Sequence, residues 1–292
     1  MLTCLSTYFN ILSCSGEDMS IEYDEIGYWS EVKLEIVKKY AQAYSTIMAA
    51  RRRPAFHHVY IDAFAGGGVH LSRTSGEFVL GSPLNALSVV PPFKEYHLID
   101  LNPEKTRKLH NLLGERPDVK IYTEDCNAVL LEKILPTLGW STYRKALCLL
   151  DPYGLHLDWR VLETAGRLGT VDIFLNFPVT DMNRNVLWRQ PEKASAAQID
   201  RLKRLWGDDS WRNVVYESRR SLFGDVLEKK RDSNRILADA FRERLKAEAE
   251  FKHVPDPMPM RNTQGAVVYY LILCFTEGSG KGYCERHLRE VL

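Results

Sequence analysis

What the sequence lacks narrows the reading first. No apolar run approaches the ~20 residues that cross a bilayer, so no membrane-spanning helix is expected. Met1 to Ser15 is mildly apolar but has neither a basic start nor a small-residue cleavage site, so it does not read as a signal peptide. Neither charge sign dominates: 39 Lys and Arg stand against 38 Asp and Glu. That balance gives no overall attraction to nucleic acid, while leaving room for a local basic face. The six cysteines contain no C-x-x-C and no Cys/His pair at zinc spacing, so no metal site is expected. Cys148 and Cys274 sit inside apolar runs and read as buried thiols, which points to a reducing, cytoplasmic setting. No Gly-Lys-Ser/Thr follows a glycine loop, and no G-x-G-x-x-G occurs, because Leu71 stands where its last glycine would be. No Pro-Cys pair occurs either, which counts against an attacking thiolate on a pyrimidine ring.

What is there is organised around Val59-Tyr60-Ile61-Asp62-Ala63-Phe64-Ala65-Gly66-Gly67-Gly68. The apolar, β-branched and aromatic run predicts a strand buried on both faces, and the glycines end it in a loop open to a ligand. Strand and helix patterns then alternate. Strands are predicted over Glu95–Ile99, Val119–Thr123, Ala146–Leu150 and Val171–Leu175, and helices over Pro103–Leu113, Ala128–Leu135 and Asp158–Leu168. Repeated alternation predicts an α/β fold: a Rossmann-like, mostly parallel sheet with helices on both faces. Upstream, apolar residues from Leu34 to Ile47 recur at helical spacing.

The domain reading follows these patterns. Residues 1–20 are an extension outside the core, with Met19 as an alternative initiator. Residues 21–190 form the nucleoside-binding core. Residues 191–253 are a helical insertion between the fifth and sixth strands, and residues 254–292 return to complete the core. Val69 to Leu80 reads as a long polar loop, either a lid or a surface excursion, closed by Gly81-Ser82-Pro83 with Ser82 as a helix cap. Val254-Pro255-Asp256-Pro257-Met258-Pro259 reads as a rigid linker, Ala266 to Phe275 as a strand and Cys284 to Leu292 as a short helix. In the insertion, Arg219-Arg220 and Lys229-Lys230-Arg231 are candidates for one basic strip. Trp188, Trp206 and Trp211 read as core anchors rather than base-stacking platforms. The Arg51-Arg52-Arg53 run reads as a solvated helix end, with a phosphate contact as the sharper alternative.

In a parallel sheet the strand ends share one edge, so Asp62, Asp100, Asp125 and Asp151 are expected to line one crevice. Asp62-Ala63-Phe64-Ala65-Gly66-Gly67-Gly68 fits D-x-F-x-G-x-G and is similar to the first motif of S-adenosylmethionine-dependent methyltransferases. On that reading Phe64, Ala65, Gly66 and Gly68 surround the methionine part, and Asp100, followed by Leu101, takes the ribose hydroxyls. Asp125 and Asn127 read the adenine amino group, with Cys126 against the ring. Asp151-Pro152-Tyr153-Gly154 resembles the Asp/Asn-Pro-Pro-Tyr/Phe motif of amino-directed nucleic-acid methyltransferases, with one proline missing. There the carboxylate and a proline carbonyl accept the amino protons, and the aromatic ring stacks on the base.

The ordered set, from Trp29 and Lys33 through Tyr60-Ile61-Asp62, Gly81-Ser82-Pro83, Asp125-Cys126-Asn127 and Asp151-Pro152-Tyr153-Gly154 to Asn176-Phe177-Pro178 and Tyr269-Tyr270-Leu271, resembles the bacterial three-Cys-motif partner proteins. The resemblance covers about Ile26 to Phe275, with Gly67 where a proline is common. It implies a class I methyltransferase-like fold, S-adenosylmethionine as cofactor and Asp151, Pro152 and Tyr153 as catalytic residues. It also implies an iron–sulfur-type three-Cys-motif partner protein. The acceptor expected is an amino group of nucleic acid or of a nucleotide. The competing reading is a non-catalytic, methyltransferase-like module that serves the partner. A magnesium-dependent nucleic-acid enzyme using Asp125 and Asp151 is disfavoured, because neither acid has a close carboxylate neighbour in sequence.

Overall fold

The computed structural model describes residues 23–276, apart from 52–54, 222, 223 and 263. In chain order come β1 (Asp24–Ile26), α1 (Tyr28–Ala50), β2 (His57–Asp62), β3 (Val69–Ser72), β4 (Phe78–Leu80), α2 (Ser82–Leu87), β5 (Glu95–Ile99), α3 (Pro103–Leu113), β6 (Val119–Tyr122) and α4 (Cys126–Ala128). A π-helical turn, Val129–Ile134, continues α4. Then follow β7 (Arg144–Leu150), α5 (Trp159–Leu168), β8 (Val171–Phe177), α6 (Val179–Asn185), α7 (Ala196–Trp206), α8 (Trp211–Val215), β9 (Tyr216–Ser221), β10 (Gly224–Lys229), α9 (Ser233–Ala247), β11 (Met258–Arg261) and β12 (Val267–Cys274).

The main sheet has seven strands in the order β11-β12-β8-β7-β2-β5-β6. The five from β8 to β6 run parallel, β12 is antiparallel to β8, and β11 is antiparallel to β12. This is the expected α/β, mostly parallel architecture. Alternation along each strand explains why both faces are covered. On β2, Val59 and Ile61 enter one apolar layer with Cys148, Ile173, Leu205 and Phe241. Tyr60 enters the opposite layer with Leu98, Phe174 and the α1 residues Tyr40 and Tyr44. Cys126, Cys148 and Cys274 are buried and free, as read for the last two. No helix among the described residues is long and apolar enough to cross a membrane.

Register brings the strand ends together. Asp62 pairs with Leu98 on β5 and Leu149 on β7, so Asp100 and Asp151 each lie two residues beyond the same level. Leu150 pairs with Leu175, which sets Asn176 beside Asp151. The chain after β2 stays in this edge: Ala63 N–H donates to Leu149 O at 3.0 Å and Ala65 N–H to Ile99 O at 2.8 Å.

Several local expectations are corrected. Val69 to Leu80 is not a loop: β3 and β4 form a hairpin, and β1 pairs parallel to β3 in a small three-stranded sheet. Residues 191–253 are not purely helical, since β9 and β10 form an antiparallel hairpin within them. The proline-rich linker ends in β11, an edge strand where Pro259, which has no N–H, is tolerated. The chain therefore returns with two strands, and β12 is the seventh of the main sheet in chain order, not the sixth. The cap of α2 is Gly81, while the Ser82 hydroxyl bonds to Asp62 instead. Trp206 and Trp211 are core residues as read, whereas Trp188 is 40% exposed. The extension 1–20, the arginines 52 and 53 and the helix expected over 284–292 lie outside the described residues.

Candidate functional site

A cavity of about 860 Å³ opens at the carboxyl edge of the sheet, where β2, β5, β6 and β7 end. Of the residues singled out from sequence, Phe64, Ala65, Gly66, Asp100, Leu101, Asp125, Cys126, Asp151 and Tyr153 line it. The loop after β2 forms its floor. Gly66 adopts φ +66°, a left-handed conformation that disfavours side chains, and its bare Cα leaves the peptide plane open. Its N–H donates to Asp100 Oδ2 at 2.9 Å, while Asp100 Oδ1 accepts from Asn102 N–H at 2.8 Å. One carboxylate thus fixes both the glycine turn and the start of α3, whose first turn (capped by Asn102, with Pro103 following) forms a wall.

The opposite wall is the α4 turn. Asp125 caps it, its Oδ1 accepting from the N–H groups of Asn127 at 3.0 Å and Ala128 at 3.2 Å. Cys126 is buried beside it, and burial pushes its thiol up to about 12, so it is an apolar contact rather than a nucleophile. At the far end Asp151 Oδ2 pairs with Lys33 of α1, and Oδ1 accepts from Asn176 Nδ2 at 2.6 Å. Burial raises the Asp151 carboxyl, but the Lys33 ammonium outweighs it and holds the group below the ordinary carboxylate range. Tyr153 stands at the rim with 89% of its surface exposed.

Four sequence-selected residues lie elsewhere. Asp62 is fully buried beneath the loop, where it accepts from Phe64 N–H at 3.3 Å and from the hydroxyl of Tyr60 at 3.3 Å. Burial pushes its carboxyl up to about 6. Gly68 faces α3: a Cβ there would approach Leu109 within 3.0 Å, so its smallness serves helix packing rather than a ligand. Asn127 spends its carboxamide on the next loop, donating to His156 O at 3.2 Å and accepting from Asp158 N–H at 2.8 Å. Pro152 is buried behind Tyr153.

The site also holds residues to which the sequence reading gave no role, although Lys33 and Asn176 stand in the ordered motif set. Lys33 sits in the amphipathic pattern of α1 and carries no local mark of its role. Asn176 is identifiable only from the β7–β8 register. His70, on β3, lines the cavity, and burial lowers its pKa, favouring the neutral ring. Asp24 on β1 pairs with Lys105 of α3 at 2.7 Å, tying the small sheet to that wall.

No protein-family model matches the chain, and no curated protein is similar to it. Solved structures are. A Listeria monocytogenes protein provisionally assigned as an S-adenosylmethionine-dependent methyltransferase is 12% identical, covers 84% of this chain and 98% of its own, and has a TM-score of 0.41. A Thermobifida fusca protein provisionally assigned as a methyltransferase is 14% identical over 84% of this chain and 82% of its own, at a TM-score of 0.39. A Legionella pneumophila protein is 13% identical over 62% of this chain and 75% of its own, at 0.40. At these scores the likenesses bear no weight in assigning a reaction, which rests on the cavity itself.

Proposed function

We propose that the chain is an S-adenosylmethionine-dependent methyltransferase that acts on an amino group of a nucleotide or nucleic acid. The observation that carries the reading is the Gly66–Asp100 hydrogen bond at the floor of the 860 Å³ cavity. It joins a side-chain-free peptide turn to an acid at the next strand end, the pairing a nucleoside with a charged tail requires. The residues present fit that cofactor. Gly66 and Ala65 leave room for the amino-acid part, and Asp100 keeps lone pairs for the ribose hydroxyls. Leu101 and Cys126 offer apolar surface to the adenine, and Asp125 Oδ2 remains an acceptor after Oδ1 has capped α4.

When bound, the cofactor supplies an electrophilic methyl group on a sulfonium. The chain's own task is then positioning. Asp151, held ionised by Lys33 and aimed by Asn176, accepts an amino proton of the acceptor, and Tyr153 offers its ring as a stacking surface. Tritiated methyl transfer to mixed RNA, DNA and nucleotides tests this. Asp151→Ala is expected to keep its S-adenosylmethionine affinity and to lose transfer by roughly 10²-fold or more. Transfer at the wild-type rate in that variant would reject the role of Asp151.

A second reading is favoured by one observation: both Asp151 oxygens are already engaged, by Lys33 and by Asn176. On it the chain is a cofactor-binding module that works with a three-Cys-motif partner. Wild type and Asp151→Ala that both bind S-adenosylmethionine, yet are equally inactive with and without that partner, would favour it.

A further inference from the structure

A second cavity, of about 700 Å³, lies at the same sheet edge beyond β8, between the β9–β10 hairpin, the start of α9 and strands β11 and β12. Lys229, Arg235 and Arg261 line it, with Asp232 as the carboxylate of the lining; Arg235 Nε lies 3.5 Å from Asp239 Oδ2, which leaves Lys229 and Arg261 as the cations for a ligand. Lys229 is half-buried and donates to Asn183 Oδ1 at 2.5 Å and to Leu187 O at 2.6 Å. Among the described residues no carboxylate forms an ion pair with Lys229 or with Arg261, whose Nη1 donates to Gly265 O at 2.9 Å. The half-buried Lys229 ammonium is served only by neutral acceptors, an arrangement that an incoming anion would relieve, and the exposed Arg261 guanidinium lines the same space. The positive end of the fifteen-residue α9 opens into the same space.

The residues around Lys229 do not form the continuous basic strip that the sequence suggested. Lys230 turns away to cap α8, donating to Asn213 O at 2.9 Å and Val214 O at 3.0 Å, and Arg219 is paired with Glu228 at 2.9 Å. Of the five basic residues of that strip, Lys229 alone lines the cavity. Its wall residue Tyr270 pairs with Phe177, the residue after the Asn176 that holds Asp151.

We propose that this cavity binds a phosphate group, carried by the methyl acceptor whose reacting base sits at Asp151. The acceptor part of this inference rests on the methyltransferase reading; the phosphate site does not. Two near-isosteric variants of the full-length chain, opposite in charge effect, test it. Asp232 lies at φ +53°, a conformation asparagine tolerates well, so Asp232→Asn removes the one acid without disturbing the turn. Asn234 Oδ1 accepts from Asn183 Nδ2 at 2.7 Å, and an aspartate there keeps that bond and suits a helix N-terminus while repelling an anion.

Binding of pyrophosphate, adenosine 5′-monophosphate and a short 5′-phosphorylated RNA is measured by calorimetry, with adenosine as the phosphate-free control. Relative to wild type, Asp232→Asn is expected to bind the phosphate probes about fivefold more tightly and Asn234→Asp about fivefold more weakly, the size of one charge at a helix end. Adenosine is expected to respond to neither. A response confined to the monophosphate and pyrophosphate identifies a free nucleotide, and one confined to RNA identifies a strand. Phosphate probes that ignore both variants, or that shift in the same direction in both, overturn the proposal. S-adenosylmethionine affinity, read on the same preparations, is expected to stay unchanged. Its absence in all three proteins would sink the methyltransferase reading while leaving the phosphate result to stand by itself.

Discussion

Asp151 shows how one side chain can be readable and its chemistry hidden. Its position after a strand, followed by Pro152 and Tyr153, marks it in the sequence. Its electrostatic state depends on Lys33, far upstream on α1, and on Asn176, which only the β7–β8 register brings alongside. Lys33→Met leaves a half-buried carboxylate without its cation. The expected cost is about 3 kcal/mol at pH 7, measured by urea unfolding. The sign with pH follows from the shift. In wild type the lowered Asp151 contributes stability above the ordinary carboxylate range and loses it as the pH falls. In the variant the largest opposing influence is gone and burial is countered chiefly by the Asn176 hydrogen bond, so the carboxyl takes up a proton from higher pH than in wild type and is relieved by it. The gap between the two proteins is therefore expected to narrow on acidification; a gap independent of pH would remove Asp151 from the account.

At the scale of elements, the opposite edge of the sheet is held by Glu95. It accepts from Lys120 of β6 at 2.7 Å and from Arg144 of β7 at 2.5 Å, and lies 3.0 Å from His97 Nε2 and 3.3 Å from His57 Nε2 of β2. Burial raises its carboxyl, but the bonds from Lys120 and Arg144 outweigh that and hold it at about 2. Burial lowers His97 to about 4, so the charged partners near neutrality are Lys120 and Arg144. An unfolded glutamate titrates near 4.5, so this tie is fully present above that value and is lost as the pH falls toward 2. Glu95→Gln is expected to cost about 3 kcal/mol at pH 7 and progressively less below pH 4.5 in the same unfolding assay. A second tie is steric. A Cβ on Gly166 of α5 would lie 1.8 Å from Ala249 O, just beyond α9, so Gly166→Ala must push the two apart. We expect a loss of about 2–3 kcal/mol, as for overpacking, seen as a lower urea midpoint with unchanged m; an unaltered midpoint would show that the contact is not close-packed.

Which elements were legible follows from the same physics. The buried parallel strands declared themselves, because continuous apolar runs between turn signals leave few alternatives. The β3–β4 and β9–β10 hairpins did not, since both lie outside the main sheet and mix polar with apolar residues. Glu217, Arg219, Arg220 and Glu228 on β9 and β10 read equally well as a solvated helix face. Strand β11 was masked by Pro257 and Pro259, permitted only because it is an edge.

For the whole molecule the decisive feature is that one sheet edge carries two cavities of unlike character. The first gathers Gly66, Asp100, Asp125 and Asp151 from four successive units, which a parallel sheet does by topology alone. That convergence was legible as a set of strand-end acids. Which of them face the cavity was not: Asp62 turned out to be a buried strut, and Asn127 a clasp between loops. The second cavity exists only because the chain leaves after β8 and returns through β11 and β12, bringing Lys229 and Arg261 together from separate segments. The central claim is that the first cavity holds a nucleoside through Asp100. Its most direct test is calorimetric titration of wild type and Asp100→Ala with S-adenosylmethionine. The account predicts a dissociation constant of roughly micromolar order for wild type and at least tenfold weaker binding for the variant, the worth of a charged hydrogen bond. No heat up to millimolar cofactor, or equal affinity in the two proteins, would contradict it.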